Sequence, residues 1–278
     1  MKRLFRILIL VFLGTAPPCA FAWGPVGHET VAYIARDHLT PKAALGVARL
    51  LEPGQDMASV SNWADSIVQE RPWTADWHHI DLDVRKNLTP ADLADYCPRG
   101  KCVVGRIEWD IAVLKNPKDS RAAKREALKF LIHFIGDLHQ PLHCANDSDR
   151  GGNEKFLRLR RSNGQGQGDW VKLHSYWDHL LEVKTLEDPR ELASALESRI
   201  SPGDRAAWER GDAADWAFES YLIAKHDIYS ELPAGPLQGW DVPTLPEDYD
   251  SGKMREIVDR QLEKAGIRLA FVLNRIFQ

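Results

Sequence analysis

The stretch Leu128-Lys-Phe-Leu-Ile-His133-Phe-Ile-Gly-Asp137-Leu-His-Gln-Pro141-Leu-His143 decides how this chain is built. Leu128, Leu131, Ile132 and Ile135 recur at helical spacing, which predicts a long helix that starts at Asp119 or Ser120 and ends before Pro141. On that helix His133 and Asp137 are four residues apart and share a face, and the turn at Pro141 presents His143 just past its end. A second pair at the same spacing, His174 and Asp178, lies in His174-Ser-Tyr-Trp-Asp178. One imidazole–carboxylate pair alone reads as an ordinary structural hydrogen bond. Two pairs with a further histidine at a helix end are the nitrogen and oxygen donor set that zinc sites require.

The rest of the chain repeats the helical signals, so the expected fold class is all-α. Thr40-Pro41 opens a helix to about Leu51 with proline at its first position, and Thr89-Pro90-Ala91-Asp92 repeats the device. Further helices are expected over 176–183, 191–199, 205–226 in pieces, and 253–277. The exception lies between Asn153 and Leu173, where two apolar segments bracket a loop rich in Gly, Asn and Gln, and a small β-hairpin is expected. The Pro- and Gly-containing stretch at 232–252 reads as a surface loop. No internal repeat is visible.

The chain has 278 residues, 44% of them apolar, with 36 Lys+Arg against 40 Asp+Glu. That composition excludes a disordered or collagen-like polymer, and a formal charge of −4 argues against broad basic nucleic-acid binding. Lys2, Arg3 and Arg6 precede an apolar run, Ile7 to Leu13, and then Ala20-Phe21-Ala22, the pattern of a secretory signal. Residues 1–22 are therefore expected to be removed, leaving 23–278 as one domain, exported to a periplasm or secreted, with no membrane anchor. The run is too short to span a bilayer, and no later one approaches about 18 apolar residues. Cleavage leaves 33 basic and 40 acidic residues, so the mature charge falls to −7.

Cys97 and Cys102 flank Pro-Arg-Gly-Lys, a turn-like loop that can bring two thiols together in an oxidising compartment, with a free pair as the alternative. Cys144 is expected to be a buried, unreactive thiol. Trp63-Ala64-Asp65 and Trp77-His78-His79-Ile80-Asp81 each place an acid or imidazole in an apolar setting, where a lone charge is costly unless it is paired or bound to metal. Signal cleavage adds an unusual donor, because it exposes Trp23 as the first residue, followed by Gly24-Pro25-Val26-Gly27-His28. The new α-amine, with a pKa near 8, and the Trp23 carbonyl can chelate one ion that His28 also reaches.

In these residues the chain resembles the zinc-dependent single-strand nucleases and 3'-nucleotidases typified by nuclease P-one and nuclease S-one. The resemblance covers nearly all of 23–278. Its marks are Trp23-Gly-x-x-Gly-His28, Trp-Ala-Asp65, Trp-His78-x-Ile-Asp81, His133-x3-Asp137-x5-His143, Asp149-Arg-Gly151-Gly152-Asn153 and His174-x2-Tyr-Trp-Asp178. The resemblance implies a mainly helical fold with three zinc ions in a cleft. Asp65, His78, His133 and Asp137 would hold one; His143, His174 and Asp178 a second; the Trp23 amine and carbonyl, His28 and the bridging Asp137 a third.

The implied reaction is hydrolysis of single-stranded DNA and RNA to 5'-phosphate products, with duplex cleavage left open, and removal of terminal 3'-phosphates from nucleotides. A hydroxide between the two close ions would attack phosphorus in line. Asp65 and Asp137 serve through the metals, while Asp81 orients water or meets a base edge. His79, Asp81, Gly151, Gly152 and Asn153 would form the base pocket, with a plain tight turn as the alternative for the last three. Three zinc ions against three carboxylates and one hydroxide leave roughly +2 in the cleft, so phosphate can be attracted locally by an acidic protein.

Two positions depart from the pattern. His79 stands where family members often place a base-stacking aromatic ring, and Val68 stands where a basic residue is often found. The remaining histidines, His38, His139, His179 and His226, are expected in core or surface roles. The competing readings are a zinc phospholipase C, whose ligand set ends in glutamate rather than Asp178, and a non-catalytic exported zinc-binding protein. A monomer is expected.

Overall fold

The computed structural model describes residues 23–160, 167–179, 188–239, 242–245 and 252–278. The expected signal segment, the turn of the hairpin and the end of the helix expected over 176–183 lie outside the described residues. The fold is all-α apart from one hairpin. Helices α1 (Pro25–Asp37) and α2 (Pro41–Leu50) are followed by two single turns, α3 (Met57–Val60) and α4 (Trp63–Ser66), then by α5 (Val103–Lys115) and α6 (Arg121–Leu138). The hairpin strands β1 (Phe156–Arg160) and β2 (Gln167–Lys172) lead into α7 (Leu173–Asp178), α8 (Pro189–Glu197), α9 (Pro202–Trp208), α10 (Ala213–Ile223) and α11 (Lys253–Ile276).

Helix α6 is the axis of the molecule. Ser120 caps its start by accepting from Ala123 N at 3.1 Å, and from Ala127 to Leu138 it is buried except at Lys129. Helix α5 lies along it, while α1 packs against α6, α8 and α11. The end of α6 is held by side chains: Ser220 Oγ donates to Leu138 O at 2.7 Å and Gln261 Nε2 to His139 O at 3.0 Å. Those bonds satisfy carbonyls that every helix end leaves open. The metal-motif residues at this end are thereby fixed by α10 and α11, far away in sequence.

Thr40 caps α2 as expected, accepting from Ala43 N at 3.2 Å. At Thr89-Pro90 the capping box forms, but it opens a 3-10 helix (Pro90–Tyr96) rather than an α-helix. Helix α7 begins at Leu173, three residues before the expected start, directly where β2 ends. Two helices carried no expectation: α1, whose Pro25 start follows the motif glycine, and α5, whose apolar residues spread around it. Cys97 and Cys102 form a disulfide with Cα atoms 5.3 Å apart, and the Cys102 sulfur caps α5 by accepting from Gly105 N at 3.4 Å. Cys144 is fully buried, which pushes its thiol pKa up and keeps it neutral.

Among the described residues no helix is long and apolar enough to cross a membrane.

Candidate metal centre and cleft

Three buried groups of histidine and aspartate could each hold a metal ion: His28 with His133 and Asp137; Asp65 with His78 and His133; and His143 with His174 and Asp178. In the second group His78 Nδ1 lies 3.1 Å from His133 Nε2 and 3.6 Å from Asp65 Oδ1, and His133 Nε2 lies 3.3 Å from that same oxygen. Asp137 joins the first two groups. Its Oδ1 faces His28 Nε2 at 3.4 Å and His133 Nε2 at 3.2 Å, while its Oδ2 faces His78 Nδ1 at 2.9 Å.

Backbone carbonyls fix which imidazole nitrogen is free to ligate. His133 Nδ1 donates to Ser61 O at 2.7 Å, His143 Nδ1 to His78 O at 2.8 Å, and His174 Nδ1 to Gly151 O at 2.6 Å. Each Nδ1–H is thereby committed, so each Nε2 carries a lone pair pointing inward. The Nε2 atoms of His143 and His174 then face each other at 3.1 Å. Two lone pairs at that distance repel unless a cation lies between them, and the separation matches an edge of a tetrahedral zinc site with Zn–N near 2.0–2.1 Å.

Burial gives the same answer. Both nitrogens of His28, Nε2 of His78 and Oδ1 of Asp137 are buried without a hydrogen-bond partner. Unpaired buried polar atoms are rare, and a metal would give His28 Nε2 and Asp137 Oδ1, which face each other, a common partner. Burial lowers the pKa of His28 to about 3, of His143 to about 4 and of His174 to about 3, so these rings are neutral donors at any ordinary pH. At His133 burial acts in the same direction, but Asp137 and Asp65 outweigh it and raise the ring well above the usual imidazole range. Burial opposes ionisation of Asp137 too, and His133 and His78 overcome it and hold the carboxyl well below its usual range. The positive charge that these carboxylates favour at this ring is the charge that a cation held there would supply.

Several positioning groups were not singled out in the sequence. Gln140 is fully buried, donates from Nε2 to Asp178 Oδ1 at 2.7 Å and accepts from Leu142 N at 2.7 Å. It thus aims one candidate ligand from the chain segment between two others. Loss of such outer contacts typically weakens metal binding about 10–100-fold, and Gln140→Ala is expected to fall in that range, read as metal affinity by chelator competition. Gly136 is the second case. His28 stacks on His133 with centroids 4.0 Å apart, and a Cβ at position 136 would lie 2.7 Å from His28 Nδ1. Gly136→Ala is expected to displace His28 and cost the protein one bound metal, read as zinc stoichiometry, even though alanine favours a helix by about 1 kcal/mol.

The cleft over the metal groups has a volume of about 590 Å³ and is lined by His79, Asp81, Gly151 and Asn153 together with Asp65, His78, His143 and His174. His79 Nε2 and Asp81 Oδ2 are 3.6 Å apart at its mouth. Val68 lines the cleft as a buried aliphatic side chain, so position 68 itself brings no charge to it. Gly152 is not part of the lining: its carbonyl accepts from His174 N at 3.2 Å and its N–H donates to Asp149 Oδ1 at 3.0 Å. At Gly151 a Cβ would lie 2.8 Å from Leu142 O, so glycine is demanded there by the protein's own chain. Asp149 also accepts from Tyr229 at 3.0 Å, and the buried Lys155 bridges Asp147, at 3.3 Å, to the carbonyls of Pro233 and Gly235. The turn is locked from behind by a polar cluster.

Trp23 is 1% exposed, and Gly24 N donates to Asp178 O at 2.7 Å, so the start of the described chain is tied to the helix that carries His174 and Asp178. His139 takes the core role expected of it. It lies outside the metal groups, donating to Ile135 O at 2.7 Å and accepting from Arg268 at 2.9 Å. Burial, then Arg268, lowers its pKa to about 3.

Residues 23–278 match the family model described as S1/P1 Nuclease. The chain is 30% identical over 295 residues to Endonuclease 2 of Arabidopsis thaliana, an alignment covering 98% of this chain and 96% of that protein. It is 30% identical over 276 residues to Nuclease P1 of Penicillium citrinum, covering 91% and 97%. To Nuclease S1 of Aspergillus oryzae it is 28% identical over 287 residues, covering 92% of each.

Proposed function

Because the chain belongs to the S1/P1 nuclease family and is a hydrolase of phosphodiester bonds, we propose that it is an exported, zinc-dependent endonuclease of single-stranded DNA and RNA that also removes 3'-phosphates from nucleotides. The observation that carries this reading is the meeting of two of the three buried donor groups at the two oxygens of Asp137, beneath a cleft large enough for a nucleotide that the third group also reaches through His143 and His174. Export rests on the signal-like residues 1–22 and on a family match that begins at Trp23.

The buried donor groups fit such ions, and this reading distributes them over three positions. Asp65, His78, His133 and Asp137 would hold one zinc, and His143, His174 and Asp178 a second. The Trp23 amine and carbonyl, His28 and Asp137 would hold a third. Bound there, such ions would supply a water that ionises near neutral pH and positive charge to stabilise the departing 3'-oxygen. The protein's own groups select and place the substrate. Asp81 can accept from the amino edge of a base, and Asn153 can both donate to and accept from it. Asn153 is held by its own Nδ2 donating to Arg150 O at 3.1 Å. His79, at the mouth, offers an imidazole face for stacking in place of a larger ring.

The deciding experiment gives the zinc-loaded protein, processed to Trp23, three substrates: single-stranded DNA, a 3'-nucleotide and phosphatidylcholine. Cleavage of the first two, with 5'-phosphate ends on the DNA products, is expected. Lipid cleavage without DNA cleavage would establish the phospholipase reading instead, and bound zinc with no turnover would establish a non-catalytic zinc protein.

A further inference from the structure

The hairpin beside the cleft carries more than its turn requires. The register pairs Phe156 with Lys172, Leu157 with Val171 and Arg158 with Trp170. Side chains alternate faces along a strand, so Phe156, Lys172, Arg158 and Trp170 share one face and Leu157 and Val171 share the other. The second face is the core face, with Leu157 fully buried. On the first face Phe156 and Lys172 line the cleft itself, together with Arg150.

Trp170 extends this face away from the cleft. Its ring lies 6.3 Å from that of Phe156, the distance of diagonal neighbours on a sheet, and it is 47% exposed, among the most exposed large apolar side chains described. The Arg158 guanidinium lies 5.8 Å from the Trp170 ring centroid, and Arg158 itself is 8% exposed, so it sits beneath the ring and orients it. Arg150, at the near end, has a side chain 72% exposed, with Glu154 at 3.9 Å. The Arg and Lys side chains that line the cleft are Arg150, in the turn that leads into the hairpin, and Lys172, at the end of β2.

We propose that this hairpin face is a binding track for single-stranded nucleic acid beyond the nucleotide being cut, with bases stacking on Phe156 and Trp170 and phosphates meeting Lys172 and Arg150. Aromatic rings interleaved with cations along a groove are the means by which proteins hold single strands without reading their sequence. The track is continuous with the cleft through Phe156 and Lys172. It rests on the single-strand reading above and adds to it a dependence on substrate length. An acidic protein would thereby gain its hold on long strands from one local stripe.

The test compares KM and kcat for a dinucleotide and for a single-stranded oligonucleotide of about twenty residues, in wild type, Trp170→Ala and Trp170→Phe, all zinc-loaded and processed to Trp23. Loss of one base–aromatic stack corresponds to about a fivefold or larger rise in KM. Trp170→Ala is expected to show that rise with the oligonucleotide alone, with kcat unchanged and the dinucleotide, too short to reach position 170, cleaved as by wild type. Trp170→Phe should restore most of the loss, and Lys172→Gln should flatten the dependence of oligonucleotide KM on salt by about one phosphate contact. Equal KM for wild type and Trp170→Ala on the long substrate would overturn the track while leaving the nuclease reading intact. Failure of the wild type on any single strand would overturn both.

Discussion

Replacing Asp137 by alanine empties two metal positions together and lowers nuclease activity by at least about 1,000-fold. The expectation follows from where the two oxygens point, one at His28 and His133 and the other at His78. No other carboxylate appears in the group with His28. Removing Asp137 takes the sole acid from that position and one of two from the neighbouring one. Metal ions contribute several kcal/mol of charge stabilisation to a phosphoryl transition state, and each 1.36 kcal/mol is a factor of ten in rate. The imidazoles cannot compensate, because a neutral ring offers a lone pair but no negative charge to offset that of the ions. Metal analysis is the direct readout, alongside activity, with Asp137→Asn as a partner variant that keeps the shape and removes the charge. Zinc content equal to wild type in both variants would contradict the bridging role. Retention of zinc by the His143–His174–Asp178 group would show that the variant is folded.

The fold and the clustered site were legible in the sequence for the same reason. Helical periodicity placed His133 and Asp137 on one face of α6, and a proline fixed where that helix had to stop. Four-residue spacing likewise put His174 and Asp178 together on α7. What the sequence left unread was set by contacts between distant segments. Gln140 carries no motif signal beyond standing before Pro141, and its importance appears only when Asp178 is brought 2.7 Å away. Gly136 looks like a weak helix residue until His28 arrives from α1 to occupy the space that a Cβ would fill. The glycines at 151 and 152 read as part of a base pocket, with a tight turn as the alternative. Gly151 lines the cleft but is required by Leu142 O, and Gly152 supports His174 from beneath. Helix α5 escaped notice because its apolar residues do not form a stripe, and at Pro90 the caps were legible but not the tighter winding that follows them.

Retaining a single residue before Trp23 is expected to cost one metal ion and roughly a hundredfold in activity, the scale of loss when a reacting group is displaced by about 1 Å. A free α-amine, with a pKa near 8, yields its lone pair to a metal readily, whereas an amide nitrogen in a peptide bond has that pair delocalised into the carbonyl. Adding a residue converts one into the other without touching any side chain. The chain cannot move aside to compensate. Trp23 is 1% exposed, Gly24 N is bonded to Asp178 O, and His28 is fixed one helical turn later by its stacking on His133. The extended protein should therefore fold with an unchanged thermal midpoint once metal-free, and differ only in zinc stoichiometry and in turnover. Removing the extra residue with an aminopeptidase should restore both. Full zinc content and full activity in the extended form would show that the terminal amine is not a ligand and that His28 and Asp137 hold their ion by other means. A protein that needs the free amine is inert until its signal is cut, so a nuclease of this design would be harmless to nucleic acid in the compartment where it is made.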